Sequence, residues 1–209
     1  MSLELIIVRH GQSEGNRDRM FTGHGPSPLT ARGHEEARAV ARRISEKPVD
    51  ALFSSDLPRA VQTAEPIAEL TGVPIIQDLS LREKHFGDLT GMRFADLEAQ
   101  HPDVWRGLLA RDPRFQPPGG ESHHECRTRM SGFLARLFES RSSGRVVLVS
   151  HGVAINHLLY SLMSTPPDAP PAMVFQIDNC SIQHAERQPD GLVRIKCIND
   201  CAHLASLNS

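Results

Sequence analysis

The chain is poor in several things, and each shortage excludes something. Among its 209 residues are one tryptophan, one tyrosine and four cysteines. Four cysteines are too few for a disulfide scaffold at this length, so a reducing cytoplasm is the expected location. Neither sign of charge is in excess. The 23 Lys and Arg face 25 Asp and Glu, a formal net charge of -2. That argues against a general nucleic-acid partner, while leaving room for a local positive pocket. No apolar run approaches the roughly 20 residues of a membrane span. Met1-Ser2-Leu3-Glu4 lacks the charged and apolar regions of a signal peptide, so no membrane partner is expected. Repeats, low-complexity tracts and linkers are also missing. What is present, 39% hydrophobic and 23% charged residues, is ordinary for a globular chain. The length suits one α/β domain over residues 1–209, with no sequence signal for its oligomeric state.

The most informative stretch is Leu5-Ile6-Ile7-Val8-Arg9-His10-Gly11, a branched apolar run that stops at Arg-His-Gly. The pattern recurs at Val146-Val147-Leu148-Val149-Ser150-His151-Gly152. Such runs read as buried strands of a parallel sheet. Ligands of open α/β sheets bind beyond the carboxyl ends of the strands, so the two histidines are expected at one edge. Each is followed by a glycine that lets backbone approach a ligand closely. His24-Gly25 has no strand before it, so the dipeptide alone carries little.

Between these runs the chain reads as alternating elements. Residues 11–28 form a polar loop. Thr30 caps a helix with Ala37, Val40, Ala41 and Ile44 on its apolar stripe, ended by Pro48. A short strand over 50–54 follows. Asp56 then caps a helix with Pro58 in its first turn and a stop at Gly72. Arg59, in that first turn, is expected to reach the crevice of His10. Residues 74–77 are a third strand, and 81–91 a loop carrying Arg82, Glu83, His85 and Asp88. Residues 92–118 are weakly periodic, with helices near 94–100 and 103–109, and are expected to cover the pocket. Ser122 with Glu125 makes a capping box for a helix through Arg141. The second His-Gly strand leads into a helix over 153–163. Residues 174–177, 181–185 and 192–198 read as late strands. The whole predicts a three-layer α/β/α sandwich around a mostly parallel sheet.

Two arginines and two histidines at one sheet edge suit a phosphoryl group. Arginine presents a planar fork of donors matching phosphate oxygens. A neutral imidazole is a nucleophile toward phosphorus, and the helix after Gly152 aims N–H groups at the same anion. A departing alkoxide also needs a proton donor, and Glu83 is the best candidate.

These residues lie within a larger pattern. Arg9-His10-Gly11-Gln12-Ser13 with Asn16, Pro28-Leu29-Thr30 with Gly33, Ser54-Ser55-Asp56 through Arg59-Ala60 and Thr63-Ala64, Leu81-Arg82-Glu83 with Phe86-Gly87 and Gly91, Pro118-Gly119-Gly120-Glu121-Ser122, and Ser150-His151-Gly152 occur in that order. The sequence resembles the histidine phosphatase superfamily, also called the phosphoglycerate mutase-like family. The resemblance implies that His10 becomes phosphohistidine. It implies that Arg9, Arg59 and His151, with Asn16 and Gly152, bind the phosphoryl oxygens, and that Glu83 donates a proton and then activates water. Thr22 and Gly23 are candidates on the substrate side. It implies no cofactor and no metal, because the arginines supply the positive charge that Mg²⁺ brings elsewhere. The departures are Pro26, where relatives usually carry an aspartate, and Leu89-Thr90, where an aromatic often stands.

Other residues carry less. His123, His124 and Cys126 resemble fragments of a metal site but match no standard zinc spacing. Cys197, Cys201 and His203 read as packing at strand ends, and Cys180 as a small buried hydrophobe. Arg93, Arg106, Arg111 and Arg114 read equally as contacts to a second anionic group or as surface charge. The leading expectation is a metal-independent phosphatase of small-molecule phosphate monoesters. The alternatives are a 2,3-bisphosphoglycerate-dependent phosphoglycerate mutase and a non-catalytic phospho-ligand binder.

Overall fold

The computed structural model describes residues 2–207. Alternation along the two His-Gly strands builds the layers. In β1 (Leu3–Arg9), Leu3, Leu5 and Ile7 join one core, and Ile6 and Val8 the other. In β4 (Gly144–Ser150), Val146 and Leu148 face the first core, and Val147 and Val149 the second. A strand apolar on both faces must be covered on both.

Helices α2 (Ala31–Ser45) and α3 (Pro58–Thr71) cover one face with Val40, Ala41, Ile44, Ala60, Ala64 and Ile67. Helices α6 (His123–Ser140) and α7 (Gly152–Leu162) cover the other with Met130, Phe133, Leu134, Ile155 and Leu158. Each fully buried Leu or Ile contributes about 1.5–3 kcal/mol relative to exposure.

The remaining strands are β2 (Ala51–Ser54), β3 (Ile75–Gln77), β5 (Ile182–Arg187) and β6 (Val193–Asp200). The sheet order is β3-β2-β4-β1-β5-β6. The first four strands are parallel to their neighbours, and β5 and β6 are antiparallel additions. This is the expected three-layer sandwich around a mostly parallel sheet.

The local signals of two helices hold. Thr30 Oγ1 accepts from the Gly33 N–H, and Ser122 and Glu125 form a reciprocal capping box. Two expectations fail. Leu57, not Asp56, stands at the α3 N-cap, with no side-chain cap. Asp56 is instead held by Arg82, whose Nε donates to it at 2.7 Å. A charge-assisted pair outweighs one capping bond, and Pro58 already tolerates an uncapped start. Residues 174–177 form no strand. Their backbone bonds to a side chain instead: Asn156 Nδ2 donates to the Phe175 carbonyl at 3.1 Å, and the Phe175 N–H donates to Asn156 Oδ1 at 2.9 Å.

The loop before α2 contains a short helix, α1 (Glu14–Arg17), that periodicity is too short to reveal. Segment 92–118 contains α4 (Phe94–Gln100) and α5 (Pro102–Leu109). Of the residues in these two helices only Leu97 is buried.

Candidate active site

Register alone brings the two histidines together. Arg9 lies opposite Ser150 in the β1–β4 ladder, so the next residues, His10 and His151, leave the sheet side by side. The His10 N–H donates to the Ser150 carbonyl at 2.9 Å, and the imidazole centroids are 5.0 Å apart. Strand β2 ends on the other side of β4, Ser54 opposite Val149, and delivers Ser55 and α3 to the same edge.

Arg59, in the first turn of α3, is fully buried and ties the group together. Its Nε donates to His10 Nε2 at 3.2 Å and to His151 Nδ1 at 3.1 Å. Its Nη2 donates to the Gly23 carbonyl at 2.7 Å, and Nη1 to the Gly25 carbonyl at 3.4 Å. Both loop carbonyls are thereby folded over the site.

These bonds fix the tautomers. A carbonyl only accepts, so the 2.7 Å contact of His10 Nδ1 with the Gly11 oxygen places the proton on Nδ1 and the lone pair on Nε2. A guanidinium only donates, so His151 Nδ1 holds a lone pair and Nε2–H donates to Ser55 Oγ at 2.9 Å. Burial, then the charges of Arg59 and Arg9, hold the pKa of His10 well below the ordinary histidine value. Burial first, then Arg59, does the same to His151. Both rings are therefore neutral at pH 7. Arg59 is lowered to about 10, chiefly by burial, and stays charged.

The remaining predicted residues converge here. Glu83 Oε1 accepts from the N–H groups of Lys84 at 2.9 Å and Ala154 at 3.0 Å. Oε2 accepts only a long 3.3 Å bond from Val153, at the start of α7, and is the oxygen with room for a proton. Asn16 Oδ1 accepts from Ser13 and from Asn179 Nδ2. Arg9 donates through Nη1 to the Ile177 carbonyl at 2.6 Å, while its buried Nε has no hydrogen bond. Arg9, Asn16, Thr22, Glu83 and Gly152 line one cavity of about 230 Å³. Gly23 contributes its carbonyl to Arg59 rather than a wall of that cavity.

His10 itself is only 3% exposed and lies beneath the cavity rather than open to it. The glycine after it also serves another end than expected. A Cβ at Gly11 would lie 2.5 Å from the Gly33 carbonyl oxygen, so this glycine permits packing of loop on helix.

Several supporting residues had no independent sequence signal. Thr63 Oγ1 accepts from the Gly11 N–H at 3.0 Å and donates to the Arg59 carbonyl at 2.7 Å. Asn179 Nδ2 also donates to the His10 carbonyl at 2.9 Å. Phe86, Phe94 and Phe175 line the cavity. Asn179 and Phe175 are distant from every motif in the chain, and only the fold brings them in.

The residues considered as metal ligands are engaged otherwise. His123 Nδ1 is 3.0 Å from His157 Nε2, His124 Nδ1 is 2.7 Å from Asp168, and Cys126 is buried. His203 Nε2 lies 3.0 Å from the Cys180 carbonyl. Among the described residues no His, Cys, Asp or Glu cluster is arranged to hold a metal ion.

Two neutral imidazoles, one fully buried and one partly buried guanidinium and a carboxyl group meet at one strand edge, an arrangement with the donors and the nucleophile that a phosphoryl group requires. The model of the histidine phosphatase superfamily (branch 1) matches residues 5–200, and the chain belongs to that superfamily. Membership places it among phosphatases and mutases, which are phosphoryl-transfer enzymes. A relative from Proteus mirabilis, named "Probable phosphoglycerate mutase GpmB", is 35% identical over 98% of this chain and 96% of its own. Mycobacterial glucosyl-3-phosphoglycerate phosphatase superimposes with a TM-score of 0.84 at 29% identity, over 95% of this chain and 99% of its own. The alpha-ribazole phosphatase of Shigella flexneri gives 0.85 at 25% identity, over 94% and 96%.

Proposed function

We propose that this chain is a metal-independent phosphatase that hydrolyses small-molecule phosphate monoesters through a phosphohistidine on His10. The observation that carries the reading is the lone pair on His10 Nε2, held on a neutral ring 3.2 Å from the Arg59 guanidinium. An incoming phosphoryl group takes over both partners, its oxygen on Arg59 and its phosphorus on Nε2. The P–O bond to the alcohol breaks as the N–P bond forms, and Glu83 Oε2 gives its proton to the departing alkoxide. Arg9, Arg59, Asn16 and the N-terminus of α7 at Gly152 hold the three remaining oxygens, and His151 joins them as its Nδ1–H tautomer, with Nε2 accepting from the Ser55 hydroxyl. Glu83 then takes a proton from water as its oxygen attacks phosphorus, releasing phosphate and restoring His10. Two guanidiniums supply the positive charge this transfer needs, which is why no metal enters the scheme.

Hydrolysis is favoured over mutase chemistry by the cover and the walls. A mutase keeps its phosphohistidine dry and grips a sugar acid while it turns over. Here Met92 to Pro117 is a short cover, and Leu97 is the one buried residue of its two helices. Arg93, Arg106, Arg111 and Arg114 are all exposed, and none lines the cavity. Arg106 pairs with Asp103, and Arg114 with Asp168. A panel of phosphate monoesters, with 3-phosphoglycerate among them, tests the reading in the presence of EDTA. Phosphate release from several esters is expected, with little 2-phosphoglycerate formed even when 2,3-bisphosphoglycerate is supplied. Isomerisation faster than release would replace this reading with the mutase. Binding without turnover of any ester would leave a phospho-ligand binder.

A further inference from the structure

The cavity beside Arg9 and Glu83 has two kinds of wall. The polar side holds those two charges with Asn16, Thr22 and Asn156, and the apolar side holds Met20, Phe86, Phe94, Phe175 and Ile177. Beyond the N-terminal turn of α7 lies a second hollow of about 100 Å³, which shares Val153 and Asn156 with the first. His123, His157, Tyr160, Pro171 and Val174 complete it.

All but one of the polar side-chain atoms of this annex are already committed. His157 Nδ1 accepts from Arg127 Nε at 3.4 Å, so its Nε2–H donates to His123 Nδ1 at 3.0 Å. Asn156 spends its amide on Gly152 and on both backbone groups of Phe175. The Tyr160 hydroxyl donates to the Met173 carbonyl. What the lining side chains leave uncommitted is ring and aliphatic surface and one donor, the Nε2–H of His123. A carboxylate or polyol entering here would exchange its hydration for at most that one donor, which is costly. An apolar group would gain in proportion to its buried area.

We infer that the preferred substrates are monophosphates of uncharged, apolar alcohols, whose body lies against Phe86, Phe94 and Phe175 and whose far end reaches the annex at His123, Tyr160 and Val174. This rests on the phosphatase reading and adds the class of leaving group. It sets this chain apart from an enzyme for phosphorylated sugar acids, whose carboxylate would find among the lining residues no cation besides Arg9, which the phosphoryl group already takes.

The test is the homologous series of n-propyl, n-butyl, n-pentyl and n-hexyl phosphate, whose leaving groups differ little in acidity, so that the chemistry stays constant. About a fourfold rise in kcat/KM is expected for each methylene buried, or roughly 60-fold across the series. Glycerol 1-phosphate and 3-phosphoglycerate are expected to fall below propyl phosphate. Phe94→Ala changes a half-exposed side chain and is expected to flatten the slope. Val174→Asp, at a position 73% exposed, sets a carboxylate at the annex without disturbing the core. It is expected to depress hexyl phosphate at least tenfold while propyl phosphate changes less than threefold. A flat series, a preference for either anionic or hydroxylated ester, or a Val174→Asp variant that affects both ends equally would overturn the inference with the phosphatase reading intact. No phosphate release from any ester would instead remove the reading on which it rests.

Discussion

Replacing Arg59 by alanine perturbs the site at the residue that joins all its parts. The side chain is fully buried and serves four acceptors: the imidazoles of His10 and His151 and the carbonyls of Gly23 and Gly25. A preorganised donor of this kind contributes about 3 kcal/mol to a transition state, equivalent to a roughly 150-fold loss of kcat/KM. Every phosphate ester should lose by a similar factor, because the lost contacts are to the phosphoryl group. Stability falls as well. The Gly23 carbonyl, held at 2.7 Å, is left without its donor at a cost of about 1–3 kcal/mol, partly offset by no longer burying a charge. A Tm about 2–8 °C lower follows for a chain of this size. Arg59→Lys keeps the charge but cannot reach both imidazoles and both carbonyls, and should fall between wild type and alanine. A further readout separates chemistry from structure. Arg59 is the second cause, after burial, that keeps the His10 pKa low. Without it that pKa rises, so the acid limb of the pH–rate profile, where protonated His10 is inactive, moves to higher pH. Initial rates at 25 °C on p-nitrophenyl phosphate, with thermal melts alongside, measure all three. A kcat/KM within threefold of wild type, or a loss explained wholly by the unfolded fraction, would refute the role given to Arg59.

Glu83→Gln should harm alkyl phosphates far more than p-nitrophenyl phosphate, since a general acid matters most for a poor leaving group. Equal losses on both would make Glu83 structural. Lys84 is fully buried, and its ammonium has no hydrogen bond; it sits 5.2 Å from the face of Phe86 and feels the charges of Glu121, Glu83 and Glu125. Burial outweighs those attractions, so Lys84→Met, which removes a cation without a hydrogen bond, should raise Tm by about 2–4 °C, the shift for ~1 kcal/mol. Burial lowers the Lys84 pKa, so its penalty is present at pH 7 and is relieved as pH rises toward the ordinary lysine value. The gain should therefore shrink at pH 10, and a lower Tm at pH 7 would show that the cation–π contact outweighs the burial.

The parts legible in the sequence are those where local chemistry and global fold agree. The two apolar runs ending at His10 and His151 gave both the parallel pair and its register edge, because burial on both faces demands continuous apolar strands. Caps at Thr30 and Ser122 marked helix starts by side chains that satisfy orphan N–H groups. Asp56 misled because the same carboxylate that caps helices also pairs with arginine, and Arg82 is remote in sequence. The 174–177 run looked like a strand because Val174, Phe175 and Ile177 are strand formers. Its backbone partner is the side chain of Asn156, which no periodicity reveals. The site was legible as a set of residue types, but not its depth. Nothing in Arg9-His10-Gly11 tells that His10 would be 3% exposed, or that a loop carbonyl would fix its tautomer. The apolar walls were hidden for the same reason: Phe86, Phe94, Phe175 and Val174 come from three separate stretches, and two of them lie in segments without clear periodicity.

The central claim is that His10 Nε2 carries the phosphoryl group between ester and water. Brief reaction with a ³²P-labelled monoester, acid or base treatment, and mapping of the labelled site test it most directly, with His10→Ala as the control. The account predicts label on wild-type protein that is lost in acid, survives base and maps to His10. It predicts none on the alanine variant, whose turnover should nearly vanish while its melt stays cooperative. Label that resists acid, maps to another residue or persists in His10→Ala would contradict it.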